Sequence, residues 1–146
     1  MKKLNQLLAD ITAIKVVGNA EVEITSVTND SREAKPGALF IAVKGVAVDA
    51  HKFIPQVVAA GAAAVVCEDL PENLNDTVTY IQVADSTIAL AHLASAWYDH
   101  PSTKLRLVGV TGTNGKTTTA TLLYELTQSL GHKAGLLSTV KNMVDR

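Results

Sequence analysis

The residues best suited to chemistry lie in one glycine-rich segment, Gly112-Thr113-Asn114-Gly115-Lys116-Thr117-Thr118. A predicted strand over residues 105–110 precedes it, and a helical pattern over 117–130 follows it. Glycines let successive backbone N–H groups curl around an anion, and the N-terminus of the next helix adds about half a positive charge. The segment therefore predicts a phosphate-binding loop. In it, Lys116 would reach the β- and γ-phosphates of a nucleotide, and the Thr117 hydroxyl would ligate Mg²⁺.

The spacing of this segment is shorter than in the common phosphate loop, G-x-x-x-x-G-K-[ST]. The first glycine of that pattern would fall at position 110, which is Val110. The alternative is a glycine-rich turn that only joins a strand to a helix. Lys116 argues against it, because a simple connector needs no cation at that point.

Other reactive side chains do not indicate a second centre. The four histidines, His51, His92, His100 and His132, lack the spacing of metal ligands, so we expect no zinc. The single cysteine, Cys67, lies in an apolar run without a basic neighbour, which favours a buried thiol over a nucleophile.

Composition narrows the class of protein. The chain has 146 residues, 13 Lys and Arg against 14 Asp and Glu, and a formal net charge of -1. A hydrophobic fraction of 47% with 18% charged residues is typical of a globular chain. Near-neutral charge argues against nucleic-acid binding, and no apolar run approaches the ~18–20 residues of a membrane span or forms a signal peptide. We expect a cytoplasmic monomer with no nucleic-acid and no membrane partner.

Alternating strand and helix patterns predict an α/β fold for residues 1–99. The predicted helices cover 4–9, 53–60 and a segment that starts after the N-cap Ser86 and stops before Pro101. The predicted strands cover 22–27, 39–43, 64–67 and 80–83. The apolar face of the third helix is expected to comprise Ile88, Leu90, Ala91, Leu93, Ala94 and Trp97.

Residues 100–104, His-Pro-Ser-Thr-Lys, predict a linker between two domains. Beyond it, residues 105–146 would form a strand, the helix after the glycine-rich loop, and a strand over 135–140. A single βαβ unit cannot cover both faces of its sheet. We therefore expect the truncated start of a larger P-loop-type parallel-sheet ATPase domain, and a chain that is part of a longer protein.

Two motif sets carry a family resemblance. The loop T-G-T-N-G-K-T-T, residues 111–118, is similar to the ATP-binding loop of the Mur ligase family, the ATP-dependent amide-bond ligases of peptidoglycan synthesis. Residues 29–32 (N-D-S-R), 36–45 (P-G-A-L-F-I-A-V-K-G) and 49–51 (D-A-H) resemble the N-terminal UDP-binding domain of its MurE and MurF types. The loop and the following L-S-T-V, residues 137–140, resemble the MurE type most.

The resemblance implies a nucleotide-sugar site in residues 1–99. Ser31, with Asn29 beside it, would contact UDP-MurNAc-L-Ala-D-Glu through uracil or ribose edges. Asp30 and Arg32 would pair with each other or with the backbone. The loop Val46-Ala47-Val48 would approach the same ligand through backbone groups or packing.

The resemblance also implies the reaction. Residues 112–118 would hold ATP, Lys116 would act as the catalytic cation on the transferred phosphoryl group, and Thr117 would bind Mg²⁺. The D-glutamyl carboxylate attacks the γ-phosphate to give an acyl phosphate, and the incoming amino acid displaces phosphate. Meso-diaminopimelate is the expected amino acid and L-lysine the alternative. The family's Mg²⁺-binding glutamate, carbamylated lysine and C-terminal domain lie outside these residues, so we expect this chain alone to be inactive as a ligase.

Other interpretations stay open at this point. A MurF-type ligase adding D-Ala-D-Ala shares the N-terminal patterns. A small P-loop NTPase or kinase would need an acidic Walker-B strand downstream. Residues 1–99 could also serve as a non-catalytic nucleotide-sugar-binding module, and residues 29–32 as an ordinary polar turn.

Overall fold

The computed structural model describes residues 1–45 and 48–144. The chain divides into two compact units, Met1–Leu105 and Arg106–Arg146.

The first unit is built on a five-stranded sheet. Its strand order is β2-β7-β6-β5-β4, in which β4, β5, β6 and β7 are parallel and β2 pairs antiparallel with β7 at one edge. A separate two-stranded sheet joins β1 and β3. The strands are β1 (Lys2–Lys3), β2 (Ala13–Val17), β3 (Glu23–Ile24), β4 (Ser26–Thr28), β5 (Ala38–Ile41), β6 (Ala64–Cys67) and β7 (Thr79–Val83).

Three α-helices cover the sheet: α1 (Leu4–Leu7), α2 (Ile54–Ala59) and α3 (Ser86–Trp97). Short 3₁₀ helices span Leu8–Asp10, Ala50–Phe53 and Pro101–Lys104. The last of these occupies the predicted linker and lies within the first unit.

The sheet buries both of its faces, since successive strand residues point to opposite sides. One apolar cluster packs with α1 and α3 and includes Leu39, Ile41, Val66 and Ile81. The other packs with α2 and includes Phe40, Val65, Cys67 and Tyr80. Strands β5 and β6 are buried at every position, which confirms the strands predicted from continuous apolar runs.

Two strand predictions need correction. The strand predicted over 22–27 splits into β3 and β4, which belong to different sheets. The break falls at Thr25, where the pairing changes from β1 to β5: its backbone N–H donates to the carbonyl oxygen of Gly37 at 2.9 Å, next to the pair of Ser26 with Ala38. Strand β2 was not predicted; it lies at the edge of the sheet, and its central residues Ile14, Lys15 and Val16 are all exposed.

Helix α3 begins one residue earlier than predicted, and a different residue caps it. The carboxylate of Asp85 accepts from the backbone N–H groups of Thr87 and Ile88 at 2.8 and 2.9 Å, so Asp85 is the N-cap. Ser86 is the first helical residue and is buried. The predicted apolar face is wrong in part, since Ile88 is 58% exposed. The buried positions are Ser86, Ala89, Leu93 and Ala96.

The second unit contains helix α4 (Lys116–Ser129) and a hairpin of β8 (Gly135–Leu137) and β9 (Asn142–Val144). The helix after the glycine-rich loop is confirmed. The predicted βαβ is wrong, because β8 pairs antiparallel with β9 and residues 105–110 form no strand. A strand needs a ladder partner, and residues 105–110 have none among the described residues. Leu107 and Val108 are accordingly 68% and 72% exposed.

No helix within residues 1–45 and 48–144 is both long enough and apolar enough to cross a bilayer.

Candidate functional site

An open cleft of about 570 Å³ lies beside the segment that follows β4. Parallel sheets place their ligand sites at the carboxyl ends of the strands, and residues 29–32 leave β4 at that end. The cleft is lined by Asn29, Asp30, Ser31, Arg32, Val48, Ala50, Phe53 and Gln56. The structure therefore brings together Ser31, Asn29 and Val48. Val46 and Ala47, predicted to approach the same ligand, lie outside the described residues.

Asp30 and Arg32 form an ion pair at the rim of the cleft, as predicted. Nη2 and Nε of Arg32 donate to the Asp30 carboxylate at 2.5 and 2.9 Å, and the backbone N–H of Arg32 donates at 2.9 Å. These bonds from Arg32 lower the pKa of the Asp30 carboxyl group to about 2. The side chains of Ser31 and Asn29 have no hydrogen-bond partner among the described residues. Both remain available to a ligand.

Two residues of the cleft, Phe53 and Gln56, were not predicted from the sequence. They stand three positions apart across the start of α2, which places them on one face of a helical turn. Phe53 is half-buried and Gln56 is exposed, so the pair presents a ring and an amide group to the cleft. That spacing, in the helix predicted over 53–60, is the signal that could have identified them.

A group of polar side chains joins the carboxyl ends of β5, β6 and β7. We call it the sheet-end cluster, and it comprises Lys44, Asp49, His51, Glu68, Asp69 and Ser86. Its centre is the Glu68 carboxylate, which accepts from the backbone N–H and the hydroxyl of Ser86 at 3.0 and 2.7 Å. Both bonds lower the pKa of Glu68. The hydroxyl of Ser86 thus serves this cluster and does not cap its helix.

The glycine-rich loop of the second unit ends in a helix N-terminus with free donors. Gly112 and Gly115 adopt φ values of +143° and +76°, which residues with a Cβ rarely adopt. Helix α4 starts at Lys116 without a side-chain cap. Its first backbone hydrogen bond runs from the N–H of Thr119 to the carbonyl oxygen of Gly115 at 2.9 Å. The backbone N–H groups of residues 116–118 have no acceptor among the described residues. Such a first turn is suited to an anion.

Lys116 reaches back across the loop. Its ammonium donates to the carbonyl oxygens of Gly112 and Thr113, the second at 3.3 Å. The ammonium is therefore held at the glycine-rich loop that precedes the free amides of α4. The hydroxyl of Thr117 is a hard oxygen ligand in the same turn and has no partner among the described residues, so this residue fits the proposed Mg²⁺. Within the described residues, no cluster of three or more His, Cys, Asp or Glu could hold a metal ion.

Comparison with known proteins assigns the family. Residues 23–98, just over half of the chain, match the family model described as "Mur ligase family, catalytic domain". The chain belongs to the Mur ligase family. The matched segment contains the cleft and the sheet-end cluster, and it ends before the glycine-rich loop.

One curated relative is the UDP-N-acetylmuramoyl-L-alanyl-D-glutamate–2,6-diaminopimelate ligase of Bacteroides fragilis. It is 52% identical over 143 residues, which is 98% of this chain and 30% of the relative. The chain thus spans about 30% of the length of the curated relatives that it matches.

Solved structures show the same fold. A UDP-N-acetylmuramoyl-L-alanyl-D-glutamate–2,6-diaminopimelate ligase matches 98% of this chain and 28% of its own with a TM-score of 0.74 and 23% identity. A MurF ligase of Thermotoga maritima, solved in complex with ADP, matches 74% of this chain and 24% of its own with a TM-score of 0.54 and 32% identity.

Proposed function

We propose that this chain is the nucleotide-binding portion of an ATP-dependent ligase that joins 2,6-diaminopimelate to UDP-MurNAc-L-Ala-D-Glu. The observation that carries the proposal is that one Mur ligase chain contains two sets of hydrogen-bonding groups without partners among the described residues. One is the cleft with the unpartnered side chains of Ser31 and Asn29, and the other is the free first turn of α4 beside Lys116. The activity named for the 52% identical relative supports the choice of substrate and amino acid.

In the first unit, residues 1–99 would form the domain that binds the UDP-sugar. The Ser31 hydroxyl and the Asn29 amide can each donate and accept hydrogen bonds, which suits the polar edges of uracil and ribose. Asp30 and Arg32 neutralise each other, so they form part of the rim of the cleft and leave no unpaired cation there. Val48 lines the same cleft and would supply an apolar contact.

In the second unit, residues 105–146 would form the start of the ATP-binding domain. The amides of residues 112–118 would hold the phosphates, and Lys116 would leave the loop carbonyls to stabilise the phosphoryl group in transfer. Mg²⁺, when bound, neutralises phosphate charge, and Thr117 is the residue that would ligate it here.

The proposed reaction needs no covalent bond between these side chains and the substrates. The D-glutamyl carboxylate of the substrate attacks the γ-phosphorus of ATP, and ADP leaves. The amine of diaminopimelate then attacks the acyl phosphate, forms the amide and releases inorganic phosphate. Catalysis of this type depends on positioning and on charge neutralisation, which the loop and the cleft are built to provide.

The MurF-type alternative is less well supported, since the MurF structure of T. maritima is 32% identical against 52% for the diaminopimelate ligase. We further propose a cytoplasmic monomer that has neither a nucleic-acid nor a membrane partner. The net charge of -1 supports the absence of a nucleic-acid site.

Calorimetric titration of the chain with UDP-MurNAc-L-Ala-D-Glu, and separately with Mg-ATP, tests the proposal. We expect Ser31→Ala to weaken only the nucleotide sugar, and Lys116→Ala to weaken only ATP, each by roughly tenfold or more. Ser102→Ala and Lys133→Ala are matched controls on exposed residues and should bind both ligands as the wild type does.

Binding of ATP without the nucleotide sugar would contradict the assignment of the cleft. Loss of both ligands in one variant would indicate unfolding, which circular dichroism detects. The chain alone is expected to form no amide product, and ATP-dependent product would contradict that expectation.

A further inference from the structure

The wall of the cleft formed by Val48 and Ala50 belongs to an irregular loop that leaves β5. Among the described residues of this loop, one isolated β-bridge between Lys44 and Asp49 and a few backbone hydrogen bonds fix its path. We infer that His51 is a positioning residue that fixes this wall of the cleft for the nucleotide sugar. The inference rests on the proposed function, because it concerns the ligand of the same cleft.

His51 joins the loop to the end of β6 through both of its ring nitrogens. Nε2 accepts from the backbone N–H groups of Glu68 and Asp69 at 2.9 and 3.3 Å. Since Nε2 is the acceptor, the ring hydrogen lies on Nδ1, which donates to the Asp49 carboxylate at 2.6 Å. The side chain is only 14% exposed. The imidazole is therefore held by two segments that are 17 residues apart in sequence.

Asp49 connects the His51 ring to the short helix that lines the cleft. The same carboxylate oxygen accepts from the backbone N–H of His51 at 2.9 Å and caps the 3₁₀ helix Ala50–Phe53. Both bonds from His51 lower the pKa of Asp49. Two residues of that short helix, Ala50 and Phe53, line the cleft. The orientation of the ring thus sets the position of this wall.

The other end of the loop is anchored to the same place. The backbone N–H of Lys44 donates to the Ser86 hydroxyl at 3.0 Å, and that hydroxyl donates to the Glu68 carboxylate at 2.7 Å. The Lys44 ammonium donates to the Asp69 carboxylate at 3.1 Å. Glu68 and Asp69 therefore hold both ends of the loop, and His51 provides the contact nearest the cleft.

Close backbone contact tightens the loop between these anchors. The N–H of Gly45 donates to the carbonyl oxygen of Val48 at 3.1 Å, and a Cβ on Gly45 would lie 2.8 Å from that oxygen. The position of Val48 is therefore coupled to that of Gly45. His51 does not line the cleft, and both of its nitrogens are occupied within the protein. It acts through Val48 and Ala50 and makes no contact of its own with the ligand.

Three variants of the full 146-residue chain test the inference. His51→Asn can keep a donor near Asp49 but cannot reach the amide of Glu68, whereas His51→Gln can place its carbonyl oxygen near that amide. His92→Asn is the matched control, since His92 is an exposed imidazole on α3. The measurements are the Kd for UDP-MurNAc-L-Ala-D-Glu well below each Tm, and amide exchange at Ala50, whose N–H donates to Val43 at 3.0 Å.

We expect His51→Asn to weaken binding by roughly tenfold and to speed exchange at Ala50, through loss of the bond to Glu68. His51→Gln should recover most of the affinity, and His92→Asn should match the wild type. A merely structural role would lower Tm without changing the affinity of the folded protein.

Unchanged affinity in folded His51→Asn, while Ser31→Ala weakens binding, would overturn the inference and leave the proposed function intact. Absence of nucleotide-sugar binding by the wild type would overturn the proposed function, and the positioning role with it. Equal losses in His51→Asn and His51→Gln would also count against the role assigned to the Glu68 amide.

Discussion

At the residue scale, the pKa of the Asp30 carboxyl group shows whether Asp30 is paired with Arg32 at the rim of the cleft. Its pKa is lowered to about 2 by the hydrogen bonds from the Arg32 side chain and backbone, against an ordinary value of 3.8. The folded-state pKa lies below that of the unfolded chain. The Asp30–Arg32 pairing therefore stabilises the folded chain above about pH 4, and this stabilisation is lost as the pH falls through about 2.

We expect the carboxyl ¹³C resonance of Asp30 to titrate near pH 2 in the wild type. In Arg32→Gln the midpoint should move up toward 3.8, because the guanidinium donors are gone. An Asp30 midpoint near 4 in the wild type would show that Arg32 is free in solution and available to a phosphate group.

The contiguous parts of the site could be predicted from the sequence, and the parts made by folding could not. The glycine-rich loop and the segment around Ser31 each carry their chemistry within a few adjacent residues. The positioning role of His51 could not be predicted, because its partner Glu68 lies 17 residues away and contacts it through a backbone N–H. A backbone donor leaves no side-chain signature, so such a contact is visible only in the structure.

At the scale of elements, the start of α3 depends on one side chain. Asp85 accepts from two backbone N–H groups of the first turn. We expect Asp85→Ala to lower the free energy of unfolding by about 1 kcal/mol, because those donors lose their acceptor. Asp85→Asn should remain close to the wild type, since the amide oxygen can still accept. Urea denaturation of the first unit measures the difference. Equal losses in the two variants would show that charge and not capping matters here.

The same scale shows which elements a pattern can predict. Strands β5 and β6 are buried on both faces, so their continuous apolar runs are sufficient evidence. Residues 105–110 are also predicted to form a strand and form none, because a strand also requires a neighbour to complete its hydrogen bonds. The division of 22–27 follows from strand pairing between distant residues, since β3 pairs with β1 and β4 pairs with β5.

At the scale of the whole molecule, the two units differ in how much apolar surface they bury. The first unit contains two buried clusters on the faces of its sheet. Among the described residues of the second unit, Leu136 alone is buried. Helix α4 exposes three large apolar side chains, Leu122, Leu123 and Leu126, and its C-cap residue Leu130 is exposed as well.

We therefore expect amide hydrogens of α4 to exchange much faster than those of β5, β6 and β7 in native-state hydrogen exchange. Few buried contacts mean a small free energy of local opening, whereas the central strands should open only with the first unit as a whole. Equal protection of α4 and β6 would contradict this expectation and would show that α4 is packed in solution.

Cys67 lies at the end of β6 inside the apolar cluster beneath α2, and burial raises the pKa of its thiol to about 11. It is the single cysteine of the chain. A thiol reagent can therefore label the protein only when the first unit opens, and labelling carries no background from the second unit. The rate at which Cys67 is labelled therefore reports how often the sheet opens. That rate can be measured with the nucleotide sugar present or absent, without adding a probe by mutation.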